Sequence, residues 1–172
     1  KNVSATTLLN RTASAMETIS RQYGINVAYY DEKIVERQAK DDAMENAFET
    51  AIEQEDFEVW FQPKYSAKTK KIIGAEALIR WRGKDGKLIP PGEFIPLFER
   101  DGLIPVLDEY VFKKVCSYQK QRKADGESVM PISVNLSRAS LFRKDFVKNY
   151  TEIIDKIGID PLFVPIEITE SM

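Results

Sequence analysis

The spacing of apolar residues changes several times along the chain, and each change marks an element. Ser4 stands where a helix N-cap would, and Leu8, Leu9, Ala13, Met16 and Ile19 then recur on one helical side. Gly24 occupies the place of the left-handed residue that closes such a helix, and Ile25 to Tyr30 reads as a short strand. One helix and one strand cannot bury a core, so residues 1–30 are expected to be the tail of a preceding domain. In residues 31–56, Ala39, Ala43, Ala47 and Ala51 recur every fourth position beside Met44, Phe48 and Ile52. That predicts an amphipathic helix with one narrow apolar stripe, a connector between domains. A signalling or dimerisation helix is the sharper reading, and the segment is short for a sustained heptad pattern.

From residue 57 onward strands and helices alternate. Phe57 to Tyr65 and Lys71 to Trp81 read as strands joined by a turn at Ser66 to Lys70. A link this short cannot make a parallel crossover, so the pair should be antiparallel. Lys68, Lys70 and Lys71 then belong to a solvated hairpin tip. Pro90-Pro91-Gly92 opens a short helix bearing Phe94, Ile95, Leu97 and Phe98, and Gly102 breaks it. A longer helix carries Leu107, Val111, Val115 and Tyr118 on one stripe and stops near Gly126. Next come a strand Val129 to Leu136, a helix with Phe146, Tyr150, Ile153 and Ile157 closed by Gly158, and a strand Phe163 to Thr169. This rhythm predicts an α/β fold with a parallel sheet or barrel.

Alternation along the strands separates two faces. Ala75, Ala77, Ile79 and Trp81 share one, and Glu76, Leu78 and Arg80 the other. Ile132, Val134 and Leu136 oppose Ser133 and Asn135; Val164, Ile166 and Ile168 oppose Pro165, Glu167 and Thr169. Each strand thus offers an apolar face for helices to cover, and an opposite face bearing a carboxylate or an amide. A buried carboxylate is costly unless paired or bound to a metal. Separate hydrogen bonds to backbone or to Arg80 would explain any one of these groups. Glu76, Asn135 and Glu167 on three strands of one sheet suggest a shared site. Their hard oxygen donors suit Mg²⁺, Mn²⁺ or Ca²⁺. In a barrel such a site lies at the C-terminal mouth of the strands.

Composition narrows the chemistry. The 172 residues contain no histidine, which excludes His-dependent nucleophiles, imidazole bases and His-ligated metals. The lone cysteine, Cys116, excludes an internal disulfide and a thiolate cluster, reads as an inert thiol within a helix, and fits a reducing, cytoplasmic setting. The formal charge of −2 gives no pull toward nucleic acid polymers, and no apolar run approaches a membrane span. Charge is unevenly spread: residues 31–56 hold a marked acidic excess, expected to form a solvated face.

The motif EALIRW from Glu76, preceded by FQP at Phe61 to Pro63, resembles the EAL family of cyclic di-GMP phosphodiesterases. FIPLFERDGLI (Phe94 to Ile104), SVNLSR (Ser133 to Arg138) and EITES (Glu167 to Ser171) follow in that family's order and spacing. The resemblance implies an incomplete (β/α)8 TIM-type barrel over residues 57–172, with its first strand antiparallel. It implies linearisation of cyclic di-GMP to pGpG with two Mg²⁺ or Mn²⁺ ions. Glu76, Asn135 and Glu167 match the family's metal ligands. Glu170 matches a glutamate that steadies a loop near the metals; with Glu76 and Glu167 it completes the expected catalytic carboxylates. Gln62, Leu78 and Arg80, beside Asn135, match substrate-contacting positions. Ala15-Met16, Gly24 and NVAYYD resemble the end of a GGDEF domain, with Glu17 and Ile19-Ser20 departing from that family's pattern. A degenerate GGDEF-like domain, and sensory domains before it, are therefore expected upstream in a parent protein that could be membrane-tethered.

Both ends read as cut. A full barrel needs about 250 residues, and residues 57–172 supply four of its strands by this reading. The chain alone is therefore expected to lack turnover, and the open strand edges make a homodimer a possible outcome. The alternative function is a non-catalytic cyclic di-GMP receptor or signalling scaffold; a plain α/β interaction module is the third.

Overall fold

A computed structural model of the chain describes residues 3–17, 19 and 27–168. It divides into two compact units, Lys1–Ala47 and Phe48–Met172. In the first, helix α1 (Ala5–Glu17) is capped as expected: Ser4 Oγ accepts from the Thr7 amide at 3.1 Å. Its apolar side is not covered, for Leu8, Leu9 and Met16 are exposed while Ala15 is buried. The described residues of this unit include no sheet on which that side could close. The expected strand at Ile25 to Tyr30 is absent over residues 27–30, which have no neighbouring strand among the described residues to take their backbone groups. Gly24, Ile25, Asn26 and Ser20 lie outside the described residues. The expected connector forms as helix α2 (Glu32–Glu53), and the division between the units falls inside it. Its buried positions follow the larger side chains Met44 and Phe48 with Ala51, while Ala39 and Ala43 stay exposed.

In the second unit β1 (Phe57–Tyr65) and β2 (Ile72–Arg82) form the expected antiparallel hairpin. Lys70 takes a left-handed φ of 56° at its tip, and Lys68, Lys70 and Lys71 are exposed. A two-residue strand β3 (Leu88–Ile89) extends the sheet beside the end of β2; it is too short to leave a periodic trace in sequence. Helices α3 (Pro91–Arg100) and α4 (Ile104–Ala124) lead to β4 (Ile132–Leu136), which pairs parallel with β2. A single turn α5 (Arg138–Leu141) and helix α6 (Phe146–Ile157) lead to β5 (Ile166–Ile168), parallel to β4. Gly158 closes α6 in the left-handed region (φ 73°), as its placement predicts. The order β1-β2-β4-β5, with helices flanking, is that of an unclosed, incomplete TIM-type barrel.

Both later strands start after their expected beginnings, β4 because of a proline and β5 because of a turn. Pro131 has no N–H to give the ladder, so β4 begins after it; its carbonyl accepts from the Ala75 amide at 2.9 Å. Before β5, Asp160 Oδ1 accepts from the Leu162 amide at 2.9 Å and folds Pro161–Phe163 into a 3-10 turn. Val164 is buried as expected of an apolar face, but Ile166 and Ile168 are exposed on the sheet's last strand.

Ala77, Ile132, Val134 and Leu136 pack under Val111, Phe112, Val115 and Cys116 of α4 and Tyr150 and Ile153 of α6. Tyr118, expected on the buried stripe, is 39% exposed and stacks on Phe61 with ring centroids 4.7 Å apart. Burial pushes the Cys116 thiol up to about 12, which agrees with an inert role. Gln119 is wholly buried in the same layer: its Nε2 donates to the carbonyls of Met130 (2.6 Å) and Phe163 (2.9 Å). One amide thereby ties together the approaches to β4 and β5. A second cluster joins Phe48, Phe57, Trp81, Phe94 and Phe98, with Phe48 edge-on to Phe98 at 4.8 Å.

Candidate functional site

The strand registers decide which polar residues meet. Gln62 lies opposite Glu76, Trp60 opposite Leu78 and Glu58 opposite Arg80, so all six share one face of the hairpin. Glu76 is level with Ser133, and Asn135 with Glu167. The helices cover the other face, where Ala77, Val134 and Leu136 lie. The expected segregation therefore holds, and the carboxylates and the amide lie on the face away from the helices.

Asn135 Nδ2 donates to Glu76 Oε1 at 2.6 Å. These two predicted site residues are thus brought into direct contact across β2 and β4. Glu167 stands beside Asn135 in register, yet its carboxylate is ion-paired with Lys64 Nζ, which also donates to Ser133 Oγ at 2.7 Å. The lysine's hydrogen bond holds the Glu167 carboxyl below the ordinary carboxylate range, against a smaller opposing effect of burial. Lys64 was not among the residues expected at the site. Its signal was present in the strand period, since Gln62 and Lys64 stand two apart in β1 and share a face.

Among the described residues, Arg80 pairs with no carboxylate. Its Nη1 donates to the Ile79 carbonyl at 2.7 Å, and its guanidinium lies 5.8 Å from the centre of the Trp60 ring. Leu78 is half-buried and Gln62 exposed. Nearby, Arg82 forks onto the Glu58 carboxylate, and that pairing lowers the Glu58 pKa. Glu170 and Thr169 lie outside the described residues.

A buried acid supports the end of β4. Asp108 of α4 accepts through Oδ2 from the Ser137 amide (3.0 Å), Ser137 Oγ (2.6 Å) and Ser140 Oγ (2.7 Å). Ser137 caps α5 and follows Asn135 by two residues, so this clamp fixes the turn leaving the site. Burial raises the Asp108 pKa and the three hydrogen bonds oppose it. Sequence reading missed this acid because it sits beside Leu107 and Val111, on a helix read for its apolar stripe.

Among the described residues, no group of three or more Asp, Glu, His or Cys side chains is placed to hold a metal ion. The donor set here is two carboxylates and one amide. Its chemistry fits a hard cation, since Asn135 turns its N–H to Glu76 and keeps its carbonyl oxygen as a donor. Glu167 would offer that cation a carboxylate that Lys64 already pairs through Oε1.

Residues 45–172 match the family model described as the EAL domain. The signalling protein YkoW of Bacillus subtilis is 30% identical over 165 residues, covering 96% of this chain and 20% of YkoW. The cyclic di-GMP phosphodiesterase PdeL of Escherichia coli is 31% identical over 124 residues, covering 72% of this chain and 34% of PdeL. The structure of the Pseudomonas aeruginosa MucR phosphodiesterase in complex with cyclic di-GMP superposes with a TM-score of 0.69. It is 30% identical, covering 75% of this chain and 52% of the other. The chain thus spans a fifth to a third of the length of these two curated relatives. Among the described residues, no helix is long and apolar enough to cross a membrane.

Proposed function

Because the chain belongs to the EAL-domain family, we propose that it supplies the first half of a site that linearises cyclic di-GMP to pGpG. The observation that carries the reading is the direct contact of Glu76 with Asn135, with Glu167 in register beside them on the uncovered face. Glu76, Asn135 and Glu167 would hold a divalent ion, Mg²⁺ or Mn²⁺, and Glu170 matches a glutamate that steadies a loop near the metals in this family. When bound, such ions activate water and stabilise charge on the phosphoryl group undergoing substitution. Gln62 and Leu78 would line the nucleotide. Arg80 would turn its fork from the Ile79 carbonyl to a phosphate oxygen, for which its geometry is suited. The likeness to the MucR phosphodiesterase, whose structure contains cyclic di-GMP, supports this choice of ligand.

In the same reading, residues 1–30 end a degenerate GGDEF-like domain, residues 31–56 form its acidic connector, and residues 57–172 begin the EAL barrel. Among the described residues, the five-stranded sheet carries Glu76, Asn135 and Glu167 as candidate ligands on the site face, Glu58 there being taken up by Arg82. That is too few ligands for two ions, so the 172 residues alone should bind ligand without turning it over.

Calorimetric titration of the chain with cyclic di-GMP, with and without Mn²⁺, tests the reading. Metal-dependent binding that Glu76→Ala removes is the expected result. Binding that ignores both the metal and the substitution would refute it. Steady-state hydrolysis by the pure chain would refute the claim that it lacks turnover.

A further inference from the structure

Lys64 is not accounted for by the ligand set, although its ammonium pairs with one of that set's carboxylates. It projects from β1 opposite Gly74, which has no side chain to compete for space beside the lysine stem. Its ammonium reaches past β2 to Ser133 Oγ on β4 and the Glu167 carboxylate on β5. Ser133 Oγ accepts from the lysine and also lies 3.4 Å from the Ala75 carbonyl, to which it can donate. The other site carboxylate has a different partner: Glu76 accepts from a neutral amide, Asn135. Within the proposed ligand set, then, only Glu167 is already paired with a full positive charge.

We propose that Lys64 is a built-in counter-cation that holds Glu167 until a divalent ion arrives, and so sets how tightly the site takes that ion. An ammonium and a divalent cation cannot share one carboxylate oxygen without strong like-charge repulsion. Lys64 sits on Oε1, so an ion taken by that oxygen displaces it, and an ion taken by Oε2 is still repelled by its charge. The pair is suited to being broken: its side chains are 39% and 46% exposed, so water screens the attraction and can solvate the freed ammonium. The four-carbon stem also lets the head swing without moving β1. Lys64 is thus a positioning residue: it keeps Glu167 over the sheet in the ion-free state and lowers the site's affinity for the ion.

This inference rests on the metal reading of Glu76, Asn135 and Glu167, so the test separates the two. Mn²⁺ affinity is measured from the free-ion electron paramagnetic resonance signal, without nucleotide, for the wild-type chain, Lys64→Met, Lys64→Arg and Glu76→Ala. Lys64→Met should bind Mn²⁺ about fivefold tighter, the upper end of what a half-exposed ion pair is worth. Lys64→Arg keeps the charge and should stay within about twofold of wild type. Equal or weaker binding by Lys64→Met, with binding still lost in Glu76→Ala, would overturn the role of Lys64 and leave the metal site standing. Failure of both wild type and Lys64→Met to bind Mn²⁺ would overturn the metal reading and this inference with it.

Discussion

Removing the Asp108 carboxylate should loosen the turn that carries the chain out of β4. In Asp108→Ala, three donors lose their acceptor: the Ser137 amide and the hydroxyls of Ser137 and Ser140, now 2.6–3.0 Å from Oδ2. The hydroxyls already lie 3.2 Å apart and can turn onto each other. The amide cannot, and an unsatisfied buried donor costs about 1–3 kcal/mol. Relief from burying a carboxylate offsets part of the remaining loss. The net cost should be about 2–3 kcal/mol, against about 1 kcal/mol for Asp108→Asn, which keeps an acceptor oxygen. Both tryptophans, Trp60 and Trp81, lie within residues 48–172, so urea unfolding followed by their fluorescence reports on the unit that holds the clamp. The pH dependence gives a second, signed readout. Burial raises the folded pKa of Asp108 above its ordinary 3.8. Folding therefore favours the protonated acid. The contribution of Asp108 is fully present below the ordinary value and is lost as pH rises through the folded one. Wild type should accordingly gain stability relative to the non-titrating Asp108→Asn as pH is lowered toward 3.8. Two results would refute the reasoning: Asp108→Ala within about 0.5 kcal/mol of wild type, or wild type losing ground to Asp108→Asn on acidification.

Two further substitutions test how the sheet holds the site together. A Cβ at Gly74 would lie 2.6 Å from the Pro131 carbonyl oxygen, a backbone atom that already accepts from the Ala75 amide. Gly74→Ala should therefore cost about 1–3 kcal/mol in the same urea assay and separate β2 from β4. Gln119→Leu leaves the Met130 and Phe163 carbonyls without their shared donor. It should cost about 2–4 kcal/mol and speed amide exchange at Ile132 and Ile166, whereas wild-type exchange rates there would show that the amide ties nothing.

The period-2 patterns of β2 and β4 were legible because each strand has one face under helices, so Glu76 and Asn135 could be placed on the other face from sequence. The antiparallel hairpin followed from its short turn alone. Burial on α1 was not legible, because an apolar stripe in sequence says nothing of whether a partner layer exists; Leu8, Leu9 and Met16 remain exposed. The delay at β4 could have been anticipated, since Pro131 stands inside the strand as first drawn. Asp108, Gln119 and Lys64 were missed for a common reason. Each acts outside its own element, on residues 11 to 103 positions away, and periodicity within one element carries no record of such partners.

The most direct test of one shared site is Mn²⁺ titration of the ¹⁵N-labelled chain followed by amide line broadening. Broadening should begin together at Glu76, Asn135 and Glu167 and vanish in Glu76→Ala. Broadening that instead concentrates on the acidic face of residues 31–56, and is unchanged in Glu76→Ala, would contradict the account.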